Sequence, residues 1–215
     1  MNRQLLSWWR ISESQNQHSS LADPGVWVRT AVRPDIGDEY TEFILVYIDD
    51  VLVLSHQATW ILKTFEKQYE YKLKNVGPPK RYLGARITKY NIKGTQTWAI
   101  SAQDYLEKAI PVVEQNHGTL KGNNKINTPL PTNYHPELDQ SPFLRDNKIE
   151  IYQSYIGILR WALKLGRIDL TFSVSLMSRI TTCPQEEYTS NILHMFAYVK
   201  RHTMSQIVFD VKKRD

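Results

Sequence analysis

Apolar residues set the rhythm of the first half of the chain. In "FILVYIDDVLVLS", Phe43 to Ser55, two strongly apolar runs flank Asp49 and Asp50. That is the pattern of two strands joined by a tight turn, here one that carries two like charges. Upstream, Val26 to Val32 reads as another strand, set between the turn signals Asp23-Pro24-Gly25 and Pro34-Asp35-Ile36-Gly37. The charged hairpin then continues a meander, and Trp8, Trp9 and Trp27 suggest packing in the first forty residues. Ala58, Ile61, Leu62, Phe65, Tyr69 and Leu73 recur at three- and four-residue spacing, which predicts an amphipathic helix with Lys63, Glu66, Lys67 and Glu70 on its wet face. A second hairpin is expected from Arg81 to Lys89 and Thr97 to Ile100, around a turn at Asn91 to Gly94.

The second half is mostly helical in its spacing. Ser101 with Asp104 has the form of a capping box opening a helix that carries Tyr105, Leu106, Ala109 and Val113. Pro111 is expected to interrupt that helix. Residues 117–149 hold prolines at 129, 131, 136 and 142 and show no sustained period, as a long loop or linker would. Beyond it, Tyr152, Tyr155, Ile156, Leu159 and Leu163 share one helical face. Asp169 is placed to cap a helix carrying Leu170, Val174, Met177 and Ile180. A last helix opens with Glu186 and Glu187, packs Tyr188, Ile192, Met195, Phe196 and Val199, and closes with Lys200, Arg201 and His202, charges that suit the helix dipole. Ile207 to Phe209 reads as a short terminal strand, and no internal repeat is present. The class is α+β.

Composition narrows the partners rather than the fold. The 215 residues, 41% hydrophobic and 23% charged, suit a soluble globular protein. A net charge of +5 and a pI near 9.2 favour an anionic partner, nucleic acid before others. Cys183 is the only cysteine, so an intramolecular disulfide and a multi-cysteine zinc site are excluded. No apolar stretch approaches the roughly 18 residues of a membrane helix, and the N-terminus lacks a signal-peptide core. No membrane partner is expected.

Candidate chemistry centres on the aspartate pair. Neighbouring carboxylates repel, and a cation at a rigid turn would relieve that; Mg²⁺, which takes carboxylate oxygens and keeps waters or phosphates, suits such a site. Taken alone, an Asp-Asp turn is ordinarily just solvated. Lys63, Lys67, Lys72, Lys74, Lys80, Arg81, Arg86 and Lys89 follow the hairpin. They can track phosphates or simply line wet faces, since sequence does not fix their orientation. Ser55-His56 beside Asp50 evokes a hydrolase, but neighbours on a strand point to opposite faces. His117 and His135 lack ligand-spaced partners for zinc.

Tyr47-Ile48-Asp49-Asp50 resembles the Y-x-D-D box of reverse transcriptases, and the resemblance is to the copia group of LTR retrotransposons. "ADPGVW" from Ala22 is similar to the strand before the box, and "VGPPKRYLGARI" to the strand after the next helix. Thr128-Pro129, "YQSYIGILRWALKLGRIDLTFSVSLMS" and "AYVKRHT" resemble later family segments, in the family's order along nearly the whole chain. The family's arginine after the first connection tyrosine is Gln153 here, and the proline of its R-P-D-I segment is Ile168.

The resemblance implies a polymerase palm-type antiparallel sheet with packed helices, followed by a mainly helical thumb and connection region. Residues 1–100 would be a partial palm, 101–149 the thumb start and linker, and 150–215 the helical thumb/connection. Asp49 and Asp50 would be catalytic and bind Mg²⁺ or Mn²⁺, Asp49 more directly. Tyr47 and Ile48 would lie beside the primer end and incoming nucleotide, and Tyr82, Leu83 and Gly84 near a primer grip. Lys72, Lys74, Lys80 and Arg81 would contact nucleic acid. The implied partners are an RNA/DNA primer–template, deoxynucleoside triphosphates and other parts of a polyprotein, in a cytoplasmic particle or the nucleus. A third palm aspartate and the fingers are expected upstream of residue 1, so the isolated chain is not expected to polymerise. The alternative is a non-catalytic nucleic-acid-binding remnant or the product of a decayed element.

Overall fold

The computed structural model describes residues 18–48, 50–69, 72–120 and 126–209. Asp49, Glu70, Trp8 and Trp9 lie outside the described residues. The chain divides into two compact units, Met1–Leu83 and Gly84–Asp215.

The first unit carries an antiparallel sheet in the order β1 (His18–Ser19), β2 (Val26–Val32), β3 (Glu39–Tyr47), β4 (Asp50–Leu54), the expected meander. Its register follows side-chain alternation. Glu42, Ile44 and Val46 of β3 are buried, and Thr41 and Tyr47 between or beyond them are exposed. Trp27, Ile44, Val46 and Ile61 form the core of this unit, with Val51 and Val53 packed against it. Ile61 and Phe65 are the buried positions of helix α1 (Ala58–Tyr69), and Lys63 and Lys67 face water as the spacing predicts. The described helix stops short of Leu73, whose backbone N–H donates to Glu66 Oε1 at 2.8 Å. A two-residue strand, β5 (Arg81–Tyr82), ends the unit.

Glu42 is the unexpected member of the buried face. It is 1% exposed and accepts hydrogen bonds from the Arg29 guanidinium, the Tyr40 hydroxyl and the Ser55 hydroxyl. Burial would raise its pKa, but these donors and the Arg29 charge outweigh it and hold the carboxyl below its ordinary value.

The second unit contains β6 (Ala85–Ile92), β7 (Thr95–Ser101) and β8 (Gln206–Val208), paired antiparallel in that order. Around them lie α2 (Gln103–His117), α3 (Asp146–Lys164), α4 (Thr171–Ser178) and α5 (Glu186–Arg201). The sequence boundary at residue 100 falls inside β7; Ala85 and Ala102, at the base of the β6–β7 hairpin, belong to the same core as the helices. That core gathers Leu106, Ile110 and Val113 of α2, Tyr152, Tyr155, Ile156 and Leu159 of α3, and Ile192, Met195, Phe196 and Val199 of α5. The helical faces of α3 and α5 are those the periodicity predicts.

Three local expectations are corrected. Pro111 sits inside α2 without ending it, because Pro111 and Glu107, the carbonyl it leaves unbonded, are both exposed and water can serve that oxygen. No capping box forms: Ala102 occupies the N-cap, and buried Asp104 pairs with Arg86, whose Nε donates at 2.6 Å. Asp169 does not cap a helix either. It receives two hydrogen bonds from Arg167, at 2.9 and 2.7 Å, and one from the Tyr198 hydroxyl at 3.0 Å. The segment 117–149 is tied down over part of its length: Leu144 N–H donates to Pro184 and Glu186 N–H to Pro142, at 2.8 and 3.0 Å. Among the described residues the fold is mixed α+β, with antiparallel sheets and five α-helices. Among the described residues no helix is long and apolar enough to cross a membrane.

Candidate active site

The site is a two-residue hairpin turn. Tyr47 pairs with Asp50 across β3 and β4, so the reversal is only two residues long. Two-residue hairpins favour turns whose central residues have positive φ, a conformation that suits glycine or asparagine. Ile48 takes it at φ 50°, although a β-branched side chain there is strained. Tyr47, Ile48 and Asp50 are all exposed at this tip. Phe43 to Val46 and Val51 to Leu54 pair residue for residue behind it and hold it rigid.

The turn end of the hairpin is braced by Asp23-Pro24-Gly25. Asp23 Oδ1 accepts from Gly25 N–H at 2.8 Å, and Gly25 carbonyl accepts from Val46 N–H at 2.8 Å. A Cβ on Gly25 would stand 2.7 Å from the Val46 carbonyl oxygen, so only glycine lets the two backbones approach this closely.

Tyr82, in β5, is not a member of this sheet but feels its charges. Burial, and then the negative charges of Asp50 and Asp23, push its phenol up to about 12. Tyr82 of the Y-L-G stretch, distant in sequence, thus lies within electrostatic reach of Asp50. Leu83 and Gly84 follow with φ 51° and 87°, a tight turn. Lys72, Lys74, Lys80 and Arg81 are exposed on the segment leading into β5. Asp49, the remaining candidate, lies outside the described residues. Among the described residues no group of three or more His, Cys, Asp or Glu could hold a metal ion. The described donors thus do not make up a Mg²⁺ or Mn²⁺ centre by themselves.

The other candidates resolve into packing. Ser55 donates to Glu42 at 2.6 Å and accepts from Gln57 N–H at 2.7 Å, while the His56 ring meets Tyr40 edge-on at 4.7 Å. No Ser–His hydrogen bond is formed among these groups. His117 packs on Tyr155 at 5.6 Å, and His135 pairs with Glu137 at 3.0 Å. The Asp23–Tyr82–Asp50 grouping was invisible to residue spacing. Glu42 left a signal, since it shares the alternation of Ile44 and Val46.

An α+β chain with an acidic hairpin is a broad class, and comparison with known proteins narrows it. The chain is 31% identical over 159 residues to the transposon Ty5-1 protein YCL074W of Saccharomyces cerevisiae, covering 73% of this chain and 48% of that protein. It is 21% identical over 202 residues to the retrovirus-related Pol polyprotein from transposon TNT 1-94 of Nicotiana tabacum, covering 92% of this chain and 14% of the polyprotein. The chain thus spans about half the length of the first relative and a small part of the second. No family model matches, and no solved structure matches. These similarities support a retrotransposon-derived protein.

Proposed function

We propose that the chain is the part of a retrotransposon RNA-directed DNA polymerase that carries the catalytic hairpin. The first unit is read as a palm-type sheet, and the helices of the second as thumb and connection. The observation that carries this reading is the tightly paired hairpin that presents Tyr47, Ile48 and Asp50 to solvent, with Tyr82 of the second polymerase-like stretch within electrostatic reach of Asp50. In the complete enzyme Asp49 and Asp50 would be carboxylate ligands of Mg²⁺ or Mn²⁺, ions that supply charge neutralisation to a nucleoside triphosphate. Tyr47 and Ile48 would border the primer end and the nucleotide. Tyr82, Leu83 and Gly84 would support the primer, and Lys72, Lys74, Lys80 and Arg81 would follow phosphates.

On the reading that the family's third palm aspartate has no counterpart among these residues, the chain alone is expected to bind a primer–template without extending it. The test is binding of a labelled poly-rA/oligo-dT duplex by the purified chain at low and moderate salt, followed by primer extension with Mg²⁺ or Mn²⁺. Salt-weakened binding with no incorporation is the expected result. Robust incorporation would refute the incomplete-site reading, and absence of binding at low salt would refute the nucleic-acid reading.

A further inference from the structure

A second surface, in the other unit, has the chemistry of a base-stacking platform. Lys89 of β6 stands directly opposite Trp98 of β7. On the other side, Phe209 continues the β7–β8 pairing, its N–H donating to the Trp98 carbonyl at 2.9 Å. The Thr97 hydroxyl donates to the Phe209 carbonyl and fixes that extension. Lys89, Trp98 and Phe209 therefore form one row across three adjacent chains on one face of the sheet. The next row on that face, Ile87, Ile100 and Ile207, is half-buried, and Ile100 and Ile207 lie against Gly166.

Both aromatics of the outer row remain open to solvent, Trp98 at 38% and Phe209 at 55%. The Lys89 ammonium lies 4.9 Å from the Trp98 ring centroid. Residues 85–101 and 206–209 include Arg86, Lys89 and Lys93 and not one Asp or Glu. A rigid sheet face with exposed aromatic rings, a mobile cation at their edge and no acidic residue in its strands suits unpaired bases and their phosphates. Duplex fits it poorly, because its bases are already stacked on one another.

We propose that Trp98 and Phe209 stack bases of a single-stranded RNA or DNA segment, and that Lys89 pairs with an adjoining phosphate. The flexible lysine stem lets the ammonium leave the ring for that phosphate. This rests on the nucleic-acid reading above but places a distinct contact outside the acidic hairpin.

The test is fluorescence anisotropy of the full chain with a labelled oligo-rU 12-mer and, separately, with the poly-rA/oligo-dT duplex. Trp98→Ala is expected to weaken 12-mer binding about tenfold, the loss of roughly one stacked base. Trp98→Phe should keep most of the affinity, and Phe209→Ala should act in the same direction as Trp98→Ala. Circular dichroism melts establish that each variant is folded. If folded Trp98→Ala and Phe209→Ala bind the 12-mer within twofold of the parent while duplex binding persists, the platform is overturned and the nucleic-acid reading stands. If neither nucleic acid binds, both fall. If Trp98→Ala changes sedimentation of the chain but not 12-mer affinity, the face is a protein interface and the proposal is overturned.

Discussion

Two hairpins of the same length solve the same turn in different ways. The β6–β7 reversal passes through Lys93 and Gly94, at φ 49° and 83°, with Asn91 Oδ1 accepting from Gly94 N–H at 2.9 Å. That is the residue chemistry a two-residue turn asks for. The β3–β4 reversal passes through Ile48, which takes nearly the same φ as Lys93 despite its branched side chain. Among the described residues, a small core of four buried residues and a buried carboxylate lies behind the first hairpin, and the extensive core of α2, α3 and α5 behind the second. Strained turn chemistry thus sits in the unit whose described residues bury less apolar surface, whereas buried charge occurs in both, Glu42 in the first and Asp104 and Arg167 in the second. Strain retained where packing is thin is the distribution expected when a turn is kept for what it presents to solvent.

The strongest way to break that contrast is to remove Arg29. Among the described residues its guanidinium is the charge that balances Glu42, which is 1% exposed and would be left with hydroxyl donors alone. Arg29→Ala is expected to cost the first unit about 3–5 kcal/mol, as breaking a buried pair does. Urea denaturation followed at Trp27 and at Trp161 should then show the first unit unfolding well before the second. A midpoint at Trp27 equal to that of the parent chain would mean the network contributes little.

Acid should remove part of the same stabilisation. The folded-state pKa of Glu42 lies below its ordinary value of 4.5, and that of Asp169 below 3.8, each held down against burial by hydrogen bonds and a neighbouring arginine. A depressed carboxyl contributes stability above its unfolded pKa and loses it as pH falls through the folded one. Stability should therefore be flat from neutral pH down to the ordinary carboxylate range and decline below it. Thermal melts across that range test this; a first unit that gains stability on acidification would reverse the sign.

These two networks also mark the limit of what the sequence made legible. Helical faces were readable because apolar spacing in α3 and α5 reports burial directly, and strand alternation in β3 and β4 did the same. Partners of polar residues were not readable. Asp104 and Asp169 both sit where a cap is plausible, and both answer instead to arginines, Arg86 and Arg167, the second 1% exposed. Local spacing cannot say which side chain the tertiary fold will bring. The same holds for the site: the acidic turn and its strands are visible as pattern, whereas the approach of Tyr82 to Asp50 depends on how the chain beyond α1 returns to the sheet.

A subtler break targets the turn end of the acidic hairpin. Gly25→Ala places a Cβ 2.7 Å from the Val46 carbonyl, where backbone rather than a flexible side chain must yield. The expected cost is about 1–3 kcal/mol, with loss of hydrogen-exchange protection at Val46 N–H, which bonds Gly25. Gly94→Ala, with nothing within 4 Å of its Cβ, carries only the cost of its φ of 83°, about 1 kcal/mol. Equal destabilisation with unchanged Val46 protection would mean that close approach plays no part at the acidic hairpin.

The finest discrimination comes from substituting the first turn residue of each hairpin by glycine. Ile48 and Lys93 share a φ near 50°, so the folded backbones gain alike from losing Cβ, but the branched Ile48 starts from greater crowding. Glycine also raises the entropy of the unfolded chain equally at both positions, so that term cancels between them. Ile48→Gly is therefore expected to stabilise its unit by about 1 kcal/mol, and Lys93→Gly by less. The aspartates remain in place in the first variant, so any fall in primer–template affinity would trace to the way Ile48 aims the turn. Stability gained together with affinity lost is the outcome expected of a residue kept for function against its own conformational preference. If Ile48→Gly gains no more stability than Lys93→Gly, the isoleucine is not strained there, and the contrast between the two turns no longer supports a functional hairpin.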